Sequence, residues 1–406
     1  MKNEHDVVIA GGGLNGPALG LALVNAGLNV AVVDAAPERA RSAGNFDGRA
    51  YALALSSVRL LQGIGIWQEL AGQSQPITKV VARQGRQGDI GPFGLFFDGA
   101  EIEEGLLGHM LEDRFLYRAL LAAMQERLSF LPGTKVIAQQ ADPGGINVSL
   151  SDGRVLRARL LVGADGRRSG VAERAGIDRT GWDYGQTALV AALDQSNSHD
   201  GTAHQIFLPT GPLAVLPLPG KRSSVVWSLT RSRAETIAAL DDADFLSVLS
   251  PHLSDIFGDI SLAGPRFSYP LSLTLANSYV AERVALIGDA AHGVHPIAGQ
   301  GLNLGLRDVA ALAESIVDAM RNGEDIGFAT TLDRYQGWRR FDATTLALGM
   351  DSVNRLFSNE SRLLASVRGM GMGAINAVPP LRRRFMRQAA GLSIDPMPRL
   401  LSGRPL

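Results

Sequence analysis

The sequence predicts an α/β protein in three parts: a discontinuous parallel-sheet domain, a β-sheet domain inserted into it, and a helical C-terminal region. Three observations predict this. The N-terminus reads strand, glycine turn, helix, strand. Residues 186–271 change style, with short β-type runs alternating with proline-rich turns. The chain then returns to α/β texture, with an apolar strand at 284–287, a glycine loop and a long helix at 302–320. On this reading residues 1–75, 101–180 and 275–345 form the discontinuous domain, 76–100 and 181–274 the inserted one, and 346–406 the C-terminal region.

Along the chain, 7–10 is a short β-type run, 17–26 is helix-like, and 30–33 is a second β-type run, which together make a βαβ unit. Residues 79–97 are glycine-rich with poor periodicity and read as strands or a loop leaving that unit. An amphipathic helix follows at 113–127, with Phe115, Leu116, Ala119, Leu120 and Ala123 on one face. Runs at 135–138, 146–150 and 155–162 are β-type, with Asp152-Gly153 as a hairpin turn. The uncharged stretch 207–217 reads as a sheet core that also walls an apolar pocket.

At 406 residues with 46% hydrophobic content, the chain is long enough for two cores. Its 39 basic and 40 acidic side chains nearly cancel, so no net field draws it to nucleic acid. It has no cysteine, which excludes disulfides, thiolate catalysis, iron–sulfur clusters and cofactor attachment through sulfur, and fits a cytoplasmic location. Residues 7–33 carry no charge and have the length of a membrane span or signal segment. Six glycines, Pro17 and three asparagines interrupt that stretch, and Glu4 and Asp6 spoil a positive leader, so no transmembrane span is expected.

The motif Gly11-x-Gly13-x-x-Gly16 lies between the first strand and helix, and Asp34 ends the next strand eighteen residues beyond Gly16. This is the context of a Rossmann-like dinucleotide fingerprint. Its first glycine permits the tight turn, the second lets backbone approach a pyrophosphate, and the third lets helix pack on strand. The helix N-terminus favours the anion, and Asp34 accepts from a ribose hydroxyl. This pattern does not distinguish NAD from FAD, and the downstream sequence does. Asp289, in Gly288-Asp289-Ala290-Ala291-His292, ends an apolar strand, where an acid can hold ribityl or ribose hydroxyls. Pro296-x-x-Gly299-x-Gly301-x-Asn303 then leads into the long helix, where free N–H groups suit the anionic edge of a reduced flavin. The later run Gly369-x-Gly371-x-Gly373 lacks the third spacing and a preceding strand, and reads as loop or close helix packing.

Residues 288–308, GDAAHGVHPIAGQGLNLGLRD, resemble the signature of class A flavin monooxygenases. The portion HPIAGQGLNLGLRD is similar to the ubiquinone-biosynthesis hydroxylase branch. Asp47-x-Arg49-x-x-Ala52-Leu53, the helix start Asp113-Arg114, and Gly163-Ala164-Asp165-Gly166-x-x-Ser169 agree, so the resemblance spans nearly the whole chain. It implies the fold of para-hydroxybenzoate hydroxylase: a Rossmann-like FAD-binding domain with an inserted substrate domain. It implies non-covalent FAD, NAD(P)H as a cosubstrate with no fingerprint of its own, and transfer of one oxygen atom from O2 to a phenolic ring, most simply that of a prenylated ubiquinone precursor. It further implies that Arg49 and Arg114 contact FAD, Asp165 serves the cofactor and NAD(P)H region, Asp289 binds the ribityl chain, and Pro296, Gly299, Gln300 and Gly301 line the flavin. One departure is Ala172, where many relatives carry arginine, with Arg174 two places on.

His292 and His295 have no third ligand at metal spacing, so no metal is expected and His292 is assigned to loop support. No Gly-x-Ser-x-Gly occurs, which removes support for hydrolase chemistry. A flavin reductase or dehydrogenase that inserts no oxygen would share the FAD motifs, as would a non-catalytic FAD-binding partner in a biosynthetic assembly. Near the C-terminus, apolar Leu356, Phe357, Leu363, Leu364 and Met370 precede Arg382, Arg383, Arg384 and Arg387, with Pro379 and Pro380 expected to break the helix. This mixture suits peripheral contact with the inner face of a membrane or with a biosynthetic complex, and equally a region that only caps the FAD-binding domain.

Overall fold

The computed structural model describes residues 4–37, 48–86, 89–294, 299–357 and 371–406. The first sheet has eight strands. Its main path runs Val280–Ala281, Val284–Leu286, Val155–Gly163, Glu4–Ala10, Val30–Asp34, Ser129–Pro132. Glu4–Ala10 pairs in parallel on both sides, with Val8 opposite Leu161 and Ala31. Val7, Val8 and Ile9 are fully buried because helices cover the parallel strands, so the run is apolar rather than alternating. The helices Asn15–Asn25, Asp113–Arg127 and Gln300–Arg321 share one continuous core with this sheet. Gly145–Leu150 and Val155–Gly163 form the expected hairpin, and Gly153 takes the positive φ of its turn.

The second sheet has nine strands, ordered His292–Gly293, Phe267–Ala276, Arg179–Gln195, Arg222–Thr230, Gly211–Leu218, Thr202–Leu208, Lys79–Arg86, Asp89–Asp98 along its main path. The glycine-rich stretch 79–97 therefore supplies two of its strands, and Lys79–Arg86 pairs in parallel with Thr202–Leu208. One face is covered by the helices Arg231–Ala238 and Asp242–Leu249, against which Ile206, Leu208, Leu213 and Val215 pack. The alternate residues, Gln205, Phe207, Ala214 and Leu216, face a large cavity, as period-two alternation requires. His292–Gly293 pairs with Phe267–Ala276, which fastens the loop after Val284–Leu286 to the second sheet.

The helix Ala329–Phe357 runs unbroken across residues 345–346. Two readings of the C-terminal region need correction. Pro379 and Pro380 begin the helix Pro379–Ala389 instead of breaking one, because a first-turn residue has no intrahelical use for its N–H. Gly371 and Gly373 are not sites of close packing, since a Cβ at either would meet nothing within 4 Å. Gly369, Leu363, Leu364 and Met370 lie outside the described residues. No helix among the described residues is long and apolar enough to cross a membrane.

Candidate functional site

A cavity of about 1580 Å³ lies between the two sheets. At one end the fingerprint loop forms its wall, and close approach explains the glycines there. Gly11 has φ +119°, and a Cβ on it would stand 2.2 Å from the Ala164 carbonyl oxygen. A Cβ on Gly16 would stand 1.9 Å from the Gly11 oxygen, and one on Gly12 2.6 Å from Asp34 Oδ2. Gly11 and Gly13 line the cavity, whereas Gly16 lies behind the loop and fixes how closely helix meets turn. The helix Asn15–Asn25 starts with no side-chain cap and no acid in its first turn. Its N-terminal dipole and N–H groups are thus left for an anion.

The residues fit an FAD nucleotide at this end. Asp34 is only 7% exposed; its Oδ1 accepts from the Ala36 N–H at 3.0 Å, while its buried Oδ2 has no partner. A buried carboxylate oxygen calls for a donor, and a ribose hydroxyl would supply it. Asn15 Oδ1, also on the cavity wall, is likewise unsatisfied.

Arg49 lines the cavity and pairs with Asp113 at 3.0 Å, and the Tyr51 hydroxyl donates to the same carboxylate at 2.9 Å. Asp47 is outside the described residues. Arg114 pairs with Glu112 at 2.6 Å over the ring of Phe115, and is not on the cavity wall. Asp165 lines the cavity and accepts from the Val171 N–H at 3.1 Å. Ala172 is buried in the short helix Gly170–Arg174, which Ser169 caps, while Arg174 reaches the wall.

Asp289 sits in the turn Gly288–Ala290 directly after the strand Val284–Leu286, and faces the cavity. Its carboxylate meets Arg167 at 3.2 Å, both side chains being about two-fifths exposed, so the pair is open to exchange with a ligand. Gly299, at φ +61°, caps the helix Gln300–Arg321, and Gly299, Gln300 and Gly301 all line the cavity. Pro296 and His295 lie outside the described residues. Asn303 acts from behind the wall. It accepts from the Ala54 N–H and the Ser57 hydroxyl at 2.8 Å, and donates to the carbonyls of Ala52 at 2.8 Å and Gly299 at 3.2 Å. It therefore ties the glycine loop to the strand Ala50–Ala54.

Residue-by-residue reading missed the anchor of this loop. Asp308, fully buried, accepts from the Gly288 N–H at 2.9 Å, His292 Nε2 at 2.5 Å and Arg339 Nε at 2.8 Å. Burial alone would raise its pKa, but the neighbouring His292 and Arg339 outweigh that and hold it below the ordinary carboxylate value. His292 thus supports the loop through Asp308. Asp308 does end the quoted signature, which was the available signal; Arg339 lies in a different helix and carried none.

The far half of the cavity is apolar, walled by Phe207, Ala214, Leu216 and Val226 of the sheet and by Leu346, Met350 and Val353 of the helix Ala329–Phe357. His204, on the helix-covered face of the same strand as Phe207 with its ring against Phe257, brings no charge near this wall: burial and nearby Arg83 push its pKa down to about 4. The site therefore joins a polar nucleotide cradle to a dry chamber, an arrangement that can hold a flavin against an apolar aromatic and keep water from between them.

The fold and site define a flavoprotein, and the chain belongs to the FAD-binding-domain family of class A flavin monooxygenases, whose model matches residues 4–346. It is an FAD-dependent monooxygenase. It is similar to a ubiquinone hydroxylase of Rhodospirillum rubrum, 44% identical over 99% of this chain and 93% of that one. It is also similar to the 3-demethoxyubiquinol 3-hydroxylase of Escherichia coli, 33% identical over 97% of this chain and all of that one. Among solved structures, p-nitrophenol 4-monooxygenase from Pseudomonas putida shares the fold with a TM-score of 0.79 at 18% identity, covering 97% of this chain and 99% of that one. PqsL of Pseudomonas aeruginosa does so with a TM-score of 0.75 at 24% identity, covering 89% and 99%.

Proposed function

We propose that this protein hydroxylates the phenolic ring of a prenylated ubiquinone precursor, with NAD(P)H as reductant and O2 as the oxygen source. The observation that carries this is the single cavity of about 1580 Å³ that joins the nucleotide cradle to the apolar chamber. Ligand sites are typically about 300–1,000 Å³, so this one has room for a large cofactor and a second molecule beside it. The names of the relatives from Rhodospirillum rubrum and Escherichia coli support the same substrate class.

FAD, when bound, supplies the transfer of electrons from NAD(P)H and the activation of O2. The chain itself binds, orients and excludes water. The N–H groups at Gly11–Gly13 and the free oxygen of Asp34 would hold the pyrophosphate and the adenine-side ribose, and Asp289 the ribityl hydroxyls. Arg49, Arg114 and Asp165 are proposed cofactor contacts, Arg114 through its neighbours. The N-terminus of Gln300–Arg321 would face the flavin ring, with Gly299 and Gly301 leaving its N–H groups open. Phe207, Leu216 and Val226 would press the substrate ring flat and keep the reaction dry.

A prenylated substrate partitions into lipid, so the reading includes a cytoplasmic protein that works against the inner face of a membrane. The domain division given above belongs to the same proposal. Mass spectrometry of quinone intermediates from a host lacking this chain tests it: a precursor short of one ring hydroxyl should accumulate, and an unchanged quinone profile contradicts the assignment. Oxygen consumption matched to hydroxylated product separates this activity from that of a non-oxygenating flavin reductase.

A further inference from the structure

The helix Pro379–Ala389 sets apolar and basic groups side by side where the cavity meets solvent. Phe385, Gln388 and Ala389 line the cavity, yet Phe385 is 45% exposed. Leu381, one turn earlier on the same stripe, is 39% exposed. The exposed stripe thus runs directly into the apolar chamber. The helix is anchored by its other face: Met386 is fully buried, Arg382 pairs with Glu101 at 2.6 Å, and Arg387 pairs with Glu104 at 3.6 Å. Arg383 and Arg384 differ from these two, being exposed and without an ion pair among the described residues. The four-arginine cluster of the sequence therefore divides into two structural arginines and two that no described residue pairs, of which Arg384 flanks the stripe and Arg383 stands on the far side of the helix.

We infer that this stripe is a docking surface for an anionic lipid bilayer, with Leu381 and Phe385 entering the headgroup–acyl boundary and Arg384, which flanks them on the helix, meeting lipid headgroups. Charge complementarity selects this occupant. An unpaired cation beside aliphatic and aromatic groups matches an anionic interface, whereas two copies of the same helix face would bring two such cations together. Docked in this way, the cavity opens towards the bilayer, and an apolar tail passes from lipid to the chamber without crossing water. The inference rests on the tailed-substrate reading for its purpose, but vesicle binding requires no turnover.

The test uses full-length FAD-loaded protein and sedimentation with vesicles of phosphatidylcholine alone or with phosphatidylserine. Wild type should sediment with the anionic vesicles and far less with the neutral ones. Arg384→Glu should bind anionic vesicles at least about tenfold more weakly, and Leu381→Ser should weaken binding to both kinds. Both variants should retain FAD and the wild-type melting temperature, which separates docking from folding. Arg382→Gln should instead lower the melting temperature. Wild type that does not sediment, or charge reversal that leaves sedimentation unchanged, overturns the inference. A change of oligomeric state in Leu381→Ser without a change in vesicle binding overturns it as well, and assigns the stripe to contact between copies. Failure of the hydroxylase reading would appear separately, as no oxygenated product from a tail-less phenol in vesicle-free solution.

Discussion

Replacing Asp308 by Asn should destabilise the protein and loosen its hold on FAD together. Asp308 is fully buried and receives donors from Gly288, His292 and Arg339. Asparagine keeps the shape and one acceptor oxygen but removes the charge that faces Arg339, itself 1% exposed. Breaking a buried pair by removing one partner typically costs about 3–5 kcal/mol, because the remaining charge stays buried. The lower end applies here, since Arg339 keeps Asp342 at 2.5 Å. Urea unfolding of the two proteins gives the difference, and FAD titration reads the second effect, through the Gly288 turn that presents Asp289. The pH dependence has a definite sign. With the folded pKa below an unfolded value of about 3.9, the carboxylate's contribution is present above that value and is lost as pH falls through the folded pKa. The gap between wild type and variant should stay level from neutral pH down to about pH 4 and narrow below it. A destabilisation under about 1 kcal/mol, the range of exposed ion pairs, would refute the anchoring role.

Gly16→Ala should abolish stable FAD binding, because its Cβ would stand 1.9 Å from the Gly11 oxygen and force helix and turn apart; normal flavin content would contradict this. Asp34→Ala should weaken FAD binding by about 1.5–3 kcal/mol through loss of a charged acceptor, and Asp289→Ala should act in the same direction by less, given its exposure. Unchanged affinities by direct titration would remove these acids from the site. Leu216→Gln, on the chamber wall, should raise hydrogen peroxide per NAD(P)H consumed more than it slows flavin reduction; equal slowing with no extra peroxide would count against a dry chamber. Denaturation should release free flavin, and colour that stays with the precipitated chain would contradict non-covalent binding.

Much of the cofactor half was legible because its physics is local. A position that needs positive φ, as Gly11 and Gly299 do, or close backbone approach, as Gly11 and Gly16 do, favours glycine, so these three announce themselves in sequence. The helix at Asp113–Arg127 was legible for a similar reason, its apolar face repeating at helical spacing. What was not legible depends on partners distant in the chain. Nothing near Asp308 indicates Arg339, thirty-one residues on. The four C-terminal arginines look alike until Glu101 and Glu104, far upstream, claim two of them. Pro379 and Pro380 were misread because proline stops a helix from within but starts one from its first turn, and sequence alone did not set the phase.

The central claim is that this chain inserts oxygen into a phenolic ring. The most direct test supplies purified, FAD-loaded protein with NAD(P)H, a prenylated phenol in vesicles and isotopically heavy O2, and follows the product by mass spectrometry. One heavy oxygen atom per product molecule, with one NAD(P)H consumed for each, is the predicted result. Oxidation of NAD(P)H that yields only hydrogen peroxide, or a hydroxyl oxygen drawn from unlabelled water, would contradict it.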